Sequence, residues 1–151
     1  MIGDQLLIDA TREVVETSAA TSVSGARPGN GVAGDFDGII ALLSFSGSCP
    51  GTLAMLCQPS IAASLAAGML GMTADEIEEE MVADALGELL NQVGGTVKRK
   101  LAADGDEIAL SIPSVVSGSH VAIKVLASSM PVAADIVTDR GTIHVRFWMP
   151  S

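Results

Sequence analysis

Between Ala74 and Ala103 the chain contains no proline, and apolar residues return every three or four positions: Val82, Leu86, Leu89, Leu90, Val93, Val97 and Leu101. At the helical period these seven fall on one side of a helix of about 29 residues, roughly 43 Å long. Thr73 and Glu76 have the spacing of a capping box, which makes Thr73 the expected N-cap. Asp75, Glu76, Glu78, Glu79 and Glu80 crowd the start, and Lys98, Arg99 and Lys100 the end. That is the charge order a helix dipole favours. Any fold for this chain must therefore cover one long apolar stripe. The opposite side carries Asp84, Glu88, Asn91 and Gly95. Asn and Gly in a helix interior each cost roughly 0.5 to 1 kcal/mol relative to Ala, so Asn91, Gly94 and Gly95 together point to a constraint other than helix stability. Without further context, Glu88-x2-Asn91 also describes the solvated face of an ordinary amphipathic helix.

The remaining segments supply a sheet. Asp4 to Ala19 reads as a first helix, with Leu7, Val14 and Val15 apolar. Thr21 to Asp35 holds Gly25, Pro28, Gly29, Gly31 and Gly34 without a Gly-Lys-Ser/Thr, so it reads as a connection with at most a short strand. Asp37 to Phe45 and Thr52 to Cys57 form a hairpin about Gly47-Ser-Cys-Pro-Gly51. Pro59 opens a short helix that Gly71 ends. Glu107–Ile112, Ser119–Ala127, Val132–Thr138 and Thr142–Met149 read as strands, the last two joined by a tight turn at Asp139-Arg140-Gly141. This order predicts one α+β domain over 1–151. An antiparallel sheet carries the long helix and the first helix, in two similar halves of helix plus strands.

Composition narrows the class. A chain of 151 residues suits one core. A net charge of -10 argues against a nucleic-acid backbone as partner. No run approaches the roughly 20 apolar residues of a membrane span, and the N-terminus lacks the basic and apolar regions of a signal peptide, so a cytoplasmic protein is expected. A disulfide between Cys49 and Cys57 would be unusual in that compartment, and neither has zinc-ligand spacing, so small-residue packing is expected. His120 and His144 lie in strand-like segments without sequence-near partners, which suggests edge positions rather than catalysis. Met69, Met72 and Met81 suit core packing, with Met81 and Ile77 on the Glu88 side and available to a partner.

Asn91 is followed after 21 residues by Pro113, just past the alternating run Ile108–Ile112. The pattern Asp84-x3-Glu88-x2-Asn91-x21-Pro113 resembles the signature of the CheC/CheX/FliY phosphatases, over roughly Ile39 to Lys124. The single-domain length and single motif are most similar to the CheX members. The first helix offers Asp9, Glu13 and Glu16 but no asparagine, which implies one site per chain. The resemblance implies a chemotaxis phosphatase acting on the aspartyl phosphate of a CheY-like response regulator. Asn91 would orient the attacking water, and Glu88 would pair with the regulator's lysine. Asp84 would support the contact, as would Pro113, while Gly94 and Gly95 would clear space beside Asn91, with helix packing the alternative for Gly94. Mg²⁺ would come from the regulator, and no metal or cofactor of the chain's own is expected.

The alternative is a non-catalytic module that binds a receiver or docks in a flagellar-switch or scaffold assembly. The resemblance also implies a homodimer joined through sheet edges. In Thr142–Met149, Ile143, Val145, Phe147 and Met149 are expected to face the helices. That alternation leaves Trp148 on the more polar face, as an interface residue.

Overall fold

Strand order follows from the length of one hairpin. Phe36–Gly47 (β2) pairs with Gly51–Cys57 (β3), and at 12 residues β2 is long enough to take two further partners on its other side. Ser114–Val121 (β5) runs along its first part, Leu42 opposite Ser114, and Ile108–Leu110 (β4) along its last, Phe45 opposite Leu110. The structure, a computed structural model, describes residues 2–29, 36–102, 105, 107–122 and 131–150. The described residues also form strands Val23–Pro28 (β1), Val132–Thr138 (β6) and Gly141–Trp148 (β7), and helices Asp4–Ser18 (α1), Pro59–Leu70 (α2) and Glu79–Leu101 (α3). The order across the sheet is β1-β6-β7-β3-β2-β4, with β5 on β2, and the pairs are antiparallel.

Two similar halves are visible in this order. Outward from the central β7–β3 pair come β6 and β2, then β1 and β5. Helix α1 lies over β6, and α3 lies over β2. Leu43, Phe45, Leu53, Met55, Val145 and Phe147 point from the sheet into one core with Leu7, Val14, Leu86, Leu89, Leu90 and Val93. Phe45 and Phe147 meet edge to face, with ring centroids 5.3 Å apart. Each such side chain contributes about 1.5 to 3 kcal/mol through burial, which is what fixes α3 on the sheet. Gly71 ends α2 in the left-handed region (φ 66°) that its missing Cβ permits.

Several expectations need correction. The long helix does not begin at Ala74. Thr73 and Glu76 do form the capping box, which holds the Glu76 carboxyl below its ordinary range through hydrogen bonds from the Thr73 hydroxyl and N–H. It caps only the 3-10 turn Ala74–Glu76; Ile77 and Glu78 are extended, and α3 starts at Glu79. The break turns Ile77 onto the core and into a groove with Val115 and Ser117, away from Glu88. Strand β5 starts at Ser114 rather than Ser119 because backbone pairing with β2 begins directly after Pro113. Strand β4 keeps only the centre of its expected span. Gly31, Gly34, Ala103, Lys124 and Ala127 lie outside the described residues.

Trp148 is not an exposed interface residue. It is 6% exposed and packs with Ile40, Ala54 and Leu56 in a second cluster on the sheet face away from the helices. Ile143, Val145 and Phe147 do face the helices. His144 has a partner across the β6–β7 hairpin: Nδ1 lies 2.8 Å from Asp135 Oδ1, which also accepts from buried Arg146 at 3.1 Å. Cys49 and Cys57 form no disulfide, and burial pushes the Cys57 thiol up to about 12.

Candidate active site

Helix α3 approaches the sheet through glycine. A Cβ on Gly94 would stand 2.4 Å from Leu43 Cδ2 and 3.5 Å from Leu110 Cδ1; one on Gly87 would lie 3.5 Å from Val115 Cγ2 and 3.8 Å from Pro113 Cγ. Gly87, Asn91 and Gly94 share a ridge at i, i+4 and i+7. Both glycines on that ridge are buried, and Asn91 between them is exposed. The segment Leu110–Pro113 therefore runs beside Asn91. Of the two readings open for Gly94, clearance beside Asn91 and helix packing, the geometry favours packing: its missing side chain makes room for β2. Pro113 is half-buried and acts from below, against the helix at Gly87.

Asp84 and Glu88 are exposed beyond Asn91, and no atom of the described residues lies within 4 Å of where a Gly95 Cβ would stand. The outward face thus carries two carboxylates and one carboxamide within two turns. At its far edge Gln92 Nε2 donates to Glu88 Oε1 at 3.2 Å, while Gln92 Oε1 accepts from Ser18 Oγ of α1 at 2.5 Å. A groove of about 380 Å³ opens there, lined by Ser18, Met69, Leu70, Met81, Asp84 and Glu88 among others. Leu70 is 49% exposed on this side, and Ile112 is 87% exposed next to Pro113 on the other. Gln92, Leu70 and Ile112 were missed in the sequence. The Glu88-x3-Gln92 spacing was a usable signal for the first, whereas no local pattern marks an exposed apolar residue.

Chemically the face is incomplete by itself. Asn91 offers an acceptor and a donor without charge, and Glu88 offers a solvated anion. Among the described residues no three His, Cys, Asp or Glu side chains are grouped to hold a metal ion. Three α1 carboxylates are engaged elsewhere: both oxygens of Glu13 accept from Arg99 at 3.1 Å, Glu16 pairs with Arg12 at 3.4 Å, and Asp9 accepts from Gln5. Such a face suits a second molecule that brings the reacting atoms.

The profile of the family described as "Chemotaxis phosphatase CheX" matches residues 39–136, well over half of the chain and all of Asp84, Glu88, Asn91 and Pro113. The chain belongs to the CheX family. Solved CheX structures share its architecture from end to end. A CheX from Desulfovibrio desulfuricans is 22% identical, with a TM-score of 0.82 over 96% of this chain and 97% of that one. A putative chemotaxis protein from Desulfovibrio vulgaris Hildenborough is 27% identical, with a TM-score of 0.79 over 95% and 93%. The CheX of a CheX–CheY–BeF3–Mg²⁺ complex from Borrelia burgdorferi is 20% identical, with a TM-score of 0.82 over 97% of each chain. A comparison with curated proteins returned no match. In the CheX fold seen here, no helix among the described residues is long and apolar enough to cross a membrane.

Proposed function

We propose that this chain accelerates hydrolysis of the aspartyl phosphate of a CheY-like response regulator in the cytoplasm, as one domain over 1–151. The observation that carries this reading is the exposure of Glu88 and Asn91 together on one rigid face of α3. Phosphoryl transfer depends mainly on positioning and electrostatics, so one amide delivered in line with phosphorus is a sufficient contribution. Asn91 Oδ1 accepts a hydrogen bond from the attacking water, and its NH₂ holds the amide plane. Glu88 pairs with the receiver's lysine and sets the register of docking. Asp84 borders that contact. The bare surface at Gly95 lets the receiver come close to the helix. Pro113 holds the helix level behind Asn91. Mg²⁺ belongs to the receiver's phosphorylation site. The Borrelia CheX, whose fold this chain shares, was crystallised with CheY, BeF3 and Mg²⁺, which supports a receiver as the partner class.

The roles of the two side chains are separable. Asn91→Ala should abolish most of the acceleration while still binding a receiver loaded with beryllium fluoride and Mg²⁺. Glu88→Lys should lose binding as well, since it sets like charges opposite each other. Unchanged turnover in Asn91→Ala would sink the water-orienting role, and undiminished binding in Glu88→Lys would show that the receiver engages some other surface.

A further inference from the structure

Glu88 is exposed, yet its carboxylate is tethered on one side. Gln92 stands one turn later on α3 and donates to Glu88 Oε1, and its own carbonyl accepts from Ser18, the last residue of α1. The direction of this chain is dictated by chemistry. An ionised carboxylate only accepts, so the Gln92 amide must present its nitrogen to Glu88. Its oxygen is then left facing α1, where the Ser18 hydroxyl must donate. A flipped amide would set oxygen against carboxylate. Ser18 is itself held, because the turn after it is fixed by Ala19 and Thr21 N–H groups donating to Val15.

We infer that Gln92 is a positioning residue: it relays the fixed end of α1 to Glu88 and holds that carboxylate ready for a cation of the docking receiver. The inference rests on the reading of Glu88 given above. A neutral amide suits the task, since it restrains Glu88 without cancelling its charge, as a lysine or arginine there would. Gln92 donates to Oε1, which leaves Oε2 outside the tether. Glu has three side-chain torsions to order on binding, and pre-ordering them removes part of the cost of association. The relay also places Glu88 under the control of α1, a helix without a motif of its own.

Gln92→Met keeps length and helix propensity but removes both hydrogen bonds; Ser18→Ala removes only the outer one. The first test uses the isolated protein. Side-chain couplings and order parameters of Glu88 by NMR should show one rotamer in the wild type, averaging in Gln92→Met and an intermediate state in Ser18→Ala. Equal averaging in all three would overturn the inference. The second test measures dephosphorylation of a phosphorylated receiver against its concentration. Gln92→Met should raise the half-saturating concentration about 3- to 10-fold, the range for immobilising one flexible side chain, with turnover at saturation within about two-fold of wild type. In a Glu88→Ala background the same substitution should change nothing. An equal loss in both backgrounds would mean that Gln92 acts independently of Glu88 and would refute the relay. A wild-type protein without any activity on the receiver would instead remove the function proposed above and leave the rotamer result to decide the positioning.

Discussion

Two adjacent glycines in α3 should respond in opposite directions to the same methyl group. Gly95→Ala adds a Cβ where none of the described residues lies within 4 Å, so only helix propensity changes, and the protein should gain about 0.5 to 1 kcal/mol. Gly94→Ala gains the same propensity but places its Cβ 2.4 Å from Leu43 Cδ2, with Leu110 and Phe45 also within 4 Å. Leu43 is 1% exposed and Phe45 3%, so neither has free space to move into. Overpacking of this kind costs about 1 to 3 kcal/mol. Because the propensity gain is common to both, the difference between the variants isolates the overpacking. Gly94→Ala should melt about 2 to 12 °C below Gly95→Ala, taking about 2 to 4 °C per kcal/mol for a chain of this size. Thermal unfolding and urea titration of the two variants side by side measure it. Equal stabilities, or Gly95→Ala the weaker, would refute the seating of α3 on β2 through Gly94. On the proposed function, Gly95→Ala should also weaken receiver docking despite its added stability.

Thr11 is fully buried in α1, and its hydroxyl has no hydrogen-bond partner among the described residues, so Thr11→Val should stabilise by about 1 kcal/mol; a loss of stability on urea unfolding would contradict this. Burial alone would raise the Asp135 carboxyl, but hydrogen bonds from His144 and Arg146, with their charges, outweigh it and hold it below the ordinary 3.8. A depressed carboxyl contributes stability above its unfolded pKa and loses it as pH falls through the folded one. Asp135→Asn should therefore unfold more easily than wild type at pH 7, and the gap should close below about pH 4; a gap independent of pH would reject the pairing. We also propose a homodimer. Buried Trp148 no longer argues for it, since β7 lies between β6 and β3, and the outer strands β1, β4 and β5, each paired on one side among the described residues, are the remaining candidate edges. Light scattering behind size exclusion should give about twice 15.3 kDa, and a constant mass near that chain value would end the proposal.

How far the structure was legible varied with the kind of signal. The stripe from Val82 to Leu101 is buried as its period required, since one face of a helix has a single way to cover itself. The hairpin of β2 and β3, the Pro59 start and the Gly71 stop of α2 follow from local chemistry and were found in place. The break at Ile77 was hidden because a capping box starts a 3-10 turn as well as an α-helix, and the packing of Ile77 decided between them. Strand β5 has mostly exposed side chains, so apolar alternation could not find it; its backbone pairing with β2 defines it. Trp148 was misplaced because alternation separates the two faces of a strand without revealing that both are covered. At the site, exposure of Glu88 and Asn91 was readable from the helix period. The tether from Ser18 to Gln92 was not, because it joins residues 74 positions apart.

The central claim is catalytic, and one rate tests it most directly: the decay of a purified, phosphorylated CheY-like receiver in Mg²⁺ as this protein is titrated in. The account predicts that decay accelerates with concentration and saturates, and that Asn91→Ala loses most of the acceleration. A decay rate unchanged at every concentration, with binding to the receiver still measurable, would contradict it and leave a module that recognises receivers without turning them over.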